Sequence, residues 1–120
     1  MRVVVGISGA TGVILGLKCI KKLLELGHFV HFVMTSDAHT TAEEEMGKEA
    51  LQKYMQLFKN SYEKECIYHS IRDFTASIAS GSFIVDAMIV VPCSMATLAA
   101  VSMGLGDNLL RRAADVTIKE

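Results

Sequence analysis

A glycine-rich turn near the start of the chain has the composition of an anion-binding site. The segment Gly6-Ile7-Ser8-Gly9-Ala10-Thr11-Gly12 follows directly on the apolar run Val3-Val4-Val5. Glycines let the backbone turn sharply and approach a ligand closely. A helix after such a turn presents unpaired N–H groups and the positive end of its dipole to a phosphate. The turn therefore predicts a phosphorylated ligand, with a nucleotide favoured over a tight turn that binds nothing.

Hydrophobic periodicity predicts the elements around this turn. A short β-branched run predicts a buried strand over residues 2–8, and the stripe of Val13, Leu17, Ile20 and Leu24 predicts a helix that ends at Gly27. Further strands are predicted at 29–35 and 86–92, and helices within 38–60, interrupted at Gly47, at 98–103 and at 108–119, capped by Asp107. Cys66–His69 is compatible with a short strand, residues 76–82 with a loop, and His31 is interpreted as a residue on the polar face of its strand. The alternation of strands and helices predicts a right-handed βαβ unit in an open parallel sheet.

Three loops are expected to meet at one edge of this sheet. They comprise residues 8–12, 35–37 and 92–97, and all three carry Ser or Thr hydroxyls. Ligands of open α/β sheets bind at the carboxyl ends of the strands, near the point where the strand order reverses. The convergence of these loops is a stronger indication of a site than any one of them.

Composition limits the classes of function. The chain has 120 residues, of which 51% are hydrophobic, and a net charge of −1, which predicts one globular domain and argues against nucleic-acid binding. Cys19, Cys66 and Cys93 form no metal or disulfide pattern, which favours a reducing, cytoplasmic location without metal. No apolar stretch is long enough to span a membrane. The high apolar content favours a homo-oligomer.

The carboxyl-terminal half carries motifs of a known family. They are Ala79-Ser80-Gly81-Ser82, Val91-Pro92-Cys93-Ser94-Met95-Ala96-Thr97-Leu98-Ala99, and Asp107-Asn108-Leu109-Leu110-x-Arg112-Ala113-Ala114-Asp115-Val116-x-x-Lys119-Glu120. Together with the glycine turn, these motifs closely resemble the flavin prenyltransferases, the UbiX/Pad family. The resemblance runs over essentially the whole chain and is weakest at 40–75.

The resemblance implies a Rossmann-like, flavodoxin-like three-layer sandwich and an FMN site. It implies transfer of a dimethylallyl group from dimethylallyl phosphate to N5 and C6 of reduced FMN, without metal. The product, prenylated FMN, would serve a partner decarboxylase of the UbiD type, and the assembly would be dodecameric. Because the family continues beyond the position of Glu120, residues 1–120 would form a single FMN-binding domain without the family's C-terminal segment.

The resemblance also implies roles for individual residues. Those matching flavin contacts are Gly9, Ala10, Thr11, Thr35 or Ser36, Ser94, Met95, Ala96, Thr97 and Arg112. Ser80, Gly81 and Lys119 match the site of the prenyl phosphate, where positive charge would stabilise the leaving group. Glu45 matches the family's helix glutamate, a candidate proton acceptor, and together with Thr11 and Lys119 completes the proposed catalytic set.

Each residue also has a purely structural interpretation. A lysine at a helix end favours the helix dipole, an acidic run is usually a solvated helix face, and Ser or Thr after a strand usually caps a helix. Cys93 lacks a histidine nearby in sequence and is interpreted as a small buried hydrophobe rather than a nucleophile.

The sequence also allows three alternative functions. One is an FMN-binding fragment or a cofactor-carrier subunit without turnover. Another is a flavoprotein cysteine decarboxylase, whose P-A-S-A-N motif parallels Pro92–Ala96, although the glycine turn lacks a histidine and position 96 is not asparagine. A third is an NAD(P)-binding short-chain dehydrogenase, which the G-x-x-G-x-x-G spacing suits. No tyrosine of the chain is followed by lysine four residues later, as that class requires.

Overall fold

A computed structural model describes every residue from Met1 to Glu120 as a parallel sheet with helices on both faces. In chain order the elements are β1 (Arg2–Ile7), α1 (Val13–Glu25), β2 (Phe29–Met34), α2 (Ser36–Met46), α3 (Lys48–Ser61), β3 (Cys66–His69), a 3-10 turn (Ser77–Ala79), β4 (Ala87–Val90), α4 (Met95–Met103) and α5 (Leu109–Lys119). None of the helices has the length and apolar character needed to cross a bilayer.

The strands lie in the order β3-β2-β1-β4, and every neighbouring pair is parallel. The chain moves outward from β1 to β3 and then crosses back to place β4 on the other side of β1. The strand order therefore reverses between β1 and β4, which is where sheets of this class bind ligands. The predicted α/β class is confirmed, and Cys66–His69 is a strand.

Strand β1 contributes side chains to two hydrophobic cores. Val3, Val5 and Ile7 belong to the core formed with α1, α2 and α3, whereas Val4 belongs to the core formed with α5. The predicted stripe of α1 is fully buried in the first core. Each large aliphatic side chain buried in this way contributes about 1.5–3 kcal/mol to folding. Two cores on opposite faces of one sheet give the three-layer arrangement that was predicted.

Strand β4 differs from its prediction as a buried strand over 86–92. It is limited to Ala87–Val90, its residues are half-buried, and the Ile89 side chain is exposed. The physical reason is its position, because β1 is its only partner and the far side of β4 is a sheet edge. A run of β-branched residues indicates a strand but does not say how many neighbours the strand has.

Polar caps set the start of two helices, one of which begins earlier than predicted and the other of which has a different cap residue. Helix α4 begins at Met95 rather than at residue 98, because the side chain of Ser94 accepts a hydrogen bond from the Thr97 N–H at 3.1 Å. Helix α5 is capped by Asn108 rather than Asp107, since Asn108 Oδ1 accepts from its first turn. Both caps are typical of helix N-termini.

His31 is buried, although it was predicted on the polar face of β2. It is 6% exposed, and its Nδ1 lies 2.9 Å from Nε2 of His69, with the two rings nearly parallel. The prediction was wrong because the connection between β3 and β4 covers this face and brings the Phe83 ring against His31. Burial, with the positive charges of His69 and Arg2 as smaller causes, lowers the pKa of His31 to about 4.

Candidate functional site

The three predicted loops meet at the carboxyl edge of the sheet, where β1, β2 and β4 end. The first two loops are in direct contact. A Cβ atom built on Gly9 would lie 2.4 Å from the Cβ of Asp37, far closer than real Cβ contacts allow. Only glycine fits there without displacing the backbone. The glycine turn therefore lets the β1 loop pack against the first turn of α2.

Ser8 joins the β1 loop to the β4 loop. Its hydroxyl donates to the carbonyl oxygen of Pro92 at 2.8 Å and accepts from the backbone N–H of Ser94 at 2.7 Å. The backbone N–H of Ser8 also donates to the Pro92 carbonyl, at 3.1 Å. Ser8 is 1% exposed, and both bonds of its hydroxyl are partly buried. Ser8 was not predicted as a site residue. Its position in the glycine-rich turn was the only sequence feature that could have indicated a role.

The N-terminus of α4 forms one wall of this edge. Ser94 Oγ donates to Thr97 Oγ1 at 3.0 Å and caps the Thr97 N–H, so these two hydroxyls are engaged with each other. The backbone N–H groups of Met95 and Ala96 make no hydrogen bond within the chain. Such unpaired N–H groups, at the positive end of a helix dipole, attract anionic or polar ligand atoms.

The N-terminus of α1 is not the open anion site that the glycine turn predicted. The carboxylate of Glu45 accepts hydrogen bonds from the backbone N–H groups of Gly12, at 2.9 Å, and Val13, at 3.1 Å. A carboxylate in this position is favoured by the helix dipole. This contact was not predicted, because Glu45 lies in α2, 33 residues further along the chain. Thr11, at the tip of the turn, is exposed, and Ala10 beside it is partly exposed.

A cavity of about 540 Å³ opens beside these loops at the ends of β2 and β3. Its volume is within the range of small-molecule sites, about 300–1,000 Å³. The lining combines hydroxyls, carboxylates, an amide, a cation and apolar side chains: Thr35, Ser36, Asp37, Ile71, Arg72, Phe74, Asp107 and Asn108. Thr35 and Ser36, the two alternatives left by sequence analysis, both line it, and Thr35 also caps α2 through the Ala38 N–H.

Two neighbouring arginines lie in the first turns of α5. Arg112, the predicted one, donates from Nε to the carbonyl oxygen of Ala79 at 3.2 Å. Arg111 was not predicted and pairs with Asp107 at 2.9 Å, while its buried Nε–H has no partner. A buried, unpaired guanidinium donor is a candidate ligand contact, and its ion-pair partner Asp107 lines the cavity. The spacing of Asp107 and Arg111, four residues apart, was the available sequence signal.

The structure separates the predicted phosphate residues from this edge. Helix α5 starts at the carboxyl edge and runs away from it, so Lys119 lies about 15 Å further along the helix axis than Leu109. Lys119 is exposed and pairs with Asp115 at 3.2 Å. Ser80 and Gly81 line a different cavity, of about 220 Å³, together with Glu120. Within one chain, Lys119, Ser80 and Gly81 therefore do not face the residues of the glycine turn.

Cys93 is exposed at the edge, contrary to the prediction of a small buried residue. Its Sγ makes only a weak contact, 3.6 Å, with the carbonyl oxygen of Ser94.

Nowhere in the chain do three or more His, Cys, Asp or Glu side chains cluster as a metal site would require.

The sequence matches a known protein family over its whole length. The profile of a family described as Flavoprotein matches residues 1–120. The flavin prenyltransferase UbiX of Chlamydia pneumoniae is 47% identical over 119 residues, which are 99% of this chain and 60% of that protein. The chain thus spans about three fifths of the length of this curated relative.

Two solved structures have the same fold. AnUbiX (PadA1), crystallised in complex with FMN and dimethylallyl pyrophosphate, superposes with a TM-score of 0.84 at 40% identity, covering 99% of this chain and 59% of that one. The dodecameric FMN-dependent UbiX-like decarboxylase of Escherichia coli O157:H7 superposes with a TM-score of 0.86 at 40% identity, covering 100% of this chain and 61% of that one.

Proposed function

Because the chain belongs to the Flavoprotein family, we propose that it binds FMN at the carboxyl edge of its sheet as part of a flavin prenyltransferase. The reaction joins a dimethylallyl group from dimethylallyl phosphate to N5 and C6 of reduced FMN. Prenylated FMN then passes to a decarboxylase of the UbiD type. The observation that supports this most directly is the junction of the β1 and β4 loops at the reversal of strand order, in a chain 47% identical to a flavin prenyltransferase.

The residues at the edge are suited to a flavin nucleotide. The cavity at the ends of β2 and β3 is large enough for a ligand of this size, and Gly9 leaves room for close approach of the β1 loop to the β2 loop. The unpaired N–H groups of Met95 and Ala96 and the buried Nε–H of Arg111 supply donors. These groups would hold polar atoms of the ligand, while Phe74 covers an apolar part of it.

When bound, reduced FMN supplies the nucleophilic N5 and C6 atoms. The chain's own residues orient that ligand and exclude water from the allyl group. Thr11, exposed at the tip of the turn, is free to hydrogen-bond to the ligand. In this proposal the Glu45 carboxylate shapes the glycine turn by accepting hydrogen bonds from the backbone N–H groups of Gly12 and Val13, and it remains the candidate proton acceptor.

The prenyl phosphate requires positive charge near the leaving group. Lys119 and Ser80 lie away from the FMN edge of their own chain, so in our proposal they serve a site of another subunit in a homo-oligomer. The dodecameric UbiX-like relative is a precedent for such an assembly. A second candidate function follows from the same observation, because a chain that cannot complete this phosphate site would bind FMN without turnover.

Titration with FMN tests the first part of the proposal. We expect saturable quenching of flavin fluorescence and shifted visible absorption bands, with one FMN bound per chain. NAD, as the control, should compete for FMN only weakly, since the glycine spacing departs from the dinucleotide fingerprint. Absence of saturation at about 1 mM FMN, which corresponds to binding weaker than about 4 kcal/mol, would rule out the FMN site.

An anaerobic assay separates the two candidate functions. Reduced FMN and dimethylallyl phosphate are incubated with the protein, and the flavin is analysed by mass spectrometry. A flavin heavier by one dimethylallyl group indicates prenyl transfer. FMN binding without any such product indicates the carrier function.

Replacing Gly9 with alanine should weaken FMN binding at least about tenfold, which is about 1.4 kcal/mol. The added methyl group would meet Asp37 at 2.4 Å and push the β1 and β2 loops apart. Fluorescence titration measures the effect. The matched control is Gly106→Ala, whose new Cβ would make only ordinary contacts, none closer than 3.4 Å. Equal FMN affinities for the two variants would contradict the assignment of this edge.

A further inference from the structure

Ser8 supplies a hydrogen-bonding connection that the backbone alone does not make. The main chain of Ser8 reaches the β4 loop only through its N–H, which donates to the Pro92 carbonyl. The N–H of Ser94 has no backbone acceptor, and the Ser8 hydroxyl accepts from it at 2.7 Å. One buried hydroxyl thus acts as donor to Pro92 and acceptor from Ser94, which uses both hydrogen-bonding functions of a serine.

The position of Ser94 in turn determines the start of α4. Its Oγ caps the Thr97 N–H and donates to the Thr97 hydroxyl, and Thr97 is itself buried. The unpaired N–H groups of Met95 and Ala96 follow directly on Ser94. A change in the position of Ser94 therefore changes the direction in which those two donors point.

We propose that Ser8 is a positioning residue that holds the β4 loop and the N-terminus of α4 in the geometry that binds FMN. The inference rests on the proposed function, because it assigns Ser8 a role in that same site. Because Ser8 is 1% exposed, its side chain is not accessible to a ligand at this edge. It acts through Ser94 on the N–H donors of α4. Binding sites depend on such support, since small displacements of ligand-contacting groups reduce affinity strongly.

A Ser8→Ala variant leaves the Ser94 N–H without its partner in a partly buried position. We expect FMN affinity to fall about tenfold or more, and the Ser94 amide to exchange its hydrogen faster in the absence of FMN. A Ser8→Thr variant keeps the hydroxyl and should restore most of the affinity. The matched control is Ser102→Ala in α4, which removes an exposed hydroxyl that donates to the Leu98 carbonyl.

The measurements are the FMN dissociation constant by fluorescence titration, the melting temperature, and amide exchange by NMR. A purely structural role for Ser8 would lower the melting temperature and leave the affinity of the folded protein unchanged, which would overturn the proposal. Equal affinities for Ser8→Ala and Ser102→Ala would do the same. If Ser8→Ala does not fold, Ser8→Cys is used instead, because a thiol has a similar volume and is only a weak hydrogen-bond donor. Its FMN affinity is then compared with that of Ser102→Ala in the same way.

Failure of the two proposals can be told apart. If the wild-type protein does not bind FMN, the proposed function is wrong and the assignment of Ser8 fails with it. If the wild-type protein binds FMN and Ser8→Ala binds it equally well, only the positioning role is wrong.

Discussion

When the pH falls from neutral to about 4, the free energy of unfolding of the wild type should decrease by about 3 kcal/mol more than that of a His31→Gln variant. In the unfolded chain this histidine takes up a proton near its ordinary pKa of 6.5, whereas burial lowers the pKa to about 4 in the folded protein. Between these two pH values the unfolded state binds more protons than the folded state. The stability that His31 contributes is therefore fully present above pH 6.5 and is lost as the pH falls toward 4. Glutamine does not titrate and can still hydrogen-bond to His69.

The groups around His31 explain why its pKa is lowered. His69 stacks on it, and the Arg2 guanidinium lies over the Phe83 ring, 4.2 Å from its centroid. Lys64 and Glu65 line the cavity next to His31 and Arg2. Burial also lowers the pKa of His69, with Asp73 acting in the opposite direction. Burial and the charges of His69 and Arg2 all lower the pKa of His31, and no acidic group raises it.

Urea unfolding at several pH values measures the effect. The control is His28→Gln, which removes a half-exposed histidine whose Nδ1 contacts the N-terminal amine at 3.1 Å. This control should keep the acid sensitivity of the wild type. An unchanged pH dependence in the His31→Gln variant would show that other groups dominate the acid response.

Replacing Gly16 with alanine should destabilise the protein by about 3 kcal/mol or more. The new Cβ would lie 2.3 Å from the carbonyl oxygen of Val91 and 2.9 Å from Cδ1 of Ile7. Alanine in a helix interior gains about 1 kcal/mol over glycine. That gain is smaller than the cost of the clash, because a backbone carbonyl can retreat only if β4 or α1 moves.

Thermal and urea unfolding provide the comparison for Gly16→Ala. Lys18→Ala, at an exposed position of the same helix, is the matched control and should change stability by less than about 0.5 kcal/mol. A Gly16→Ala variant as stable as this control would mean that α1 can move away from β4 at little cost.

Local patterns of the sequence predicted most of the fold. The stripe of α1 and the run of β1 each depend on neighbours within a few residues, and both are found where they were expected. Burial of β4 and of His31 was predicted wrongly because each depends on which segments cover them. Those segments lie far away in sequence: β1 is the only neighbour of β4, and Phe83, in the connection before β4, packs against His31.

The candidate site was predicted in part for the same reason. Convergence of the three loops follows from strand direction alone, so the glycine turn and Ser94–Thr97 were placed correctly at one edge. Two contacts join segments that are distant in sequence: Glu45 with the start of α1, and Ser8 with the β4 loop. No local sequence pattern predicts them. Lys119 matched a family motif, but a motif does not tell whether a residue acts on its own chain's edge.

The hydrogen bonds of Ser8 also bear on the order in which the protein folds. They join residues 84 and 86 positions apart, whereas β1, α1 and β2 are consecutive in the chain. Closing a long loop has a larger entropic cost than closing a short one, and contacts of large sequence separation form slowly. The β1–α1–β2 unit can therefore assemble early, while the edge at which we propose that FMN binds is complete only after β4 has docked. Acquisition of ligand affinity would thus mark the completion of folding, later than the formation of most of the secondary structure.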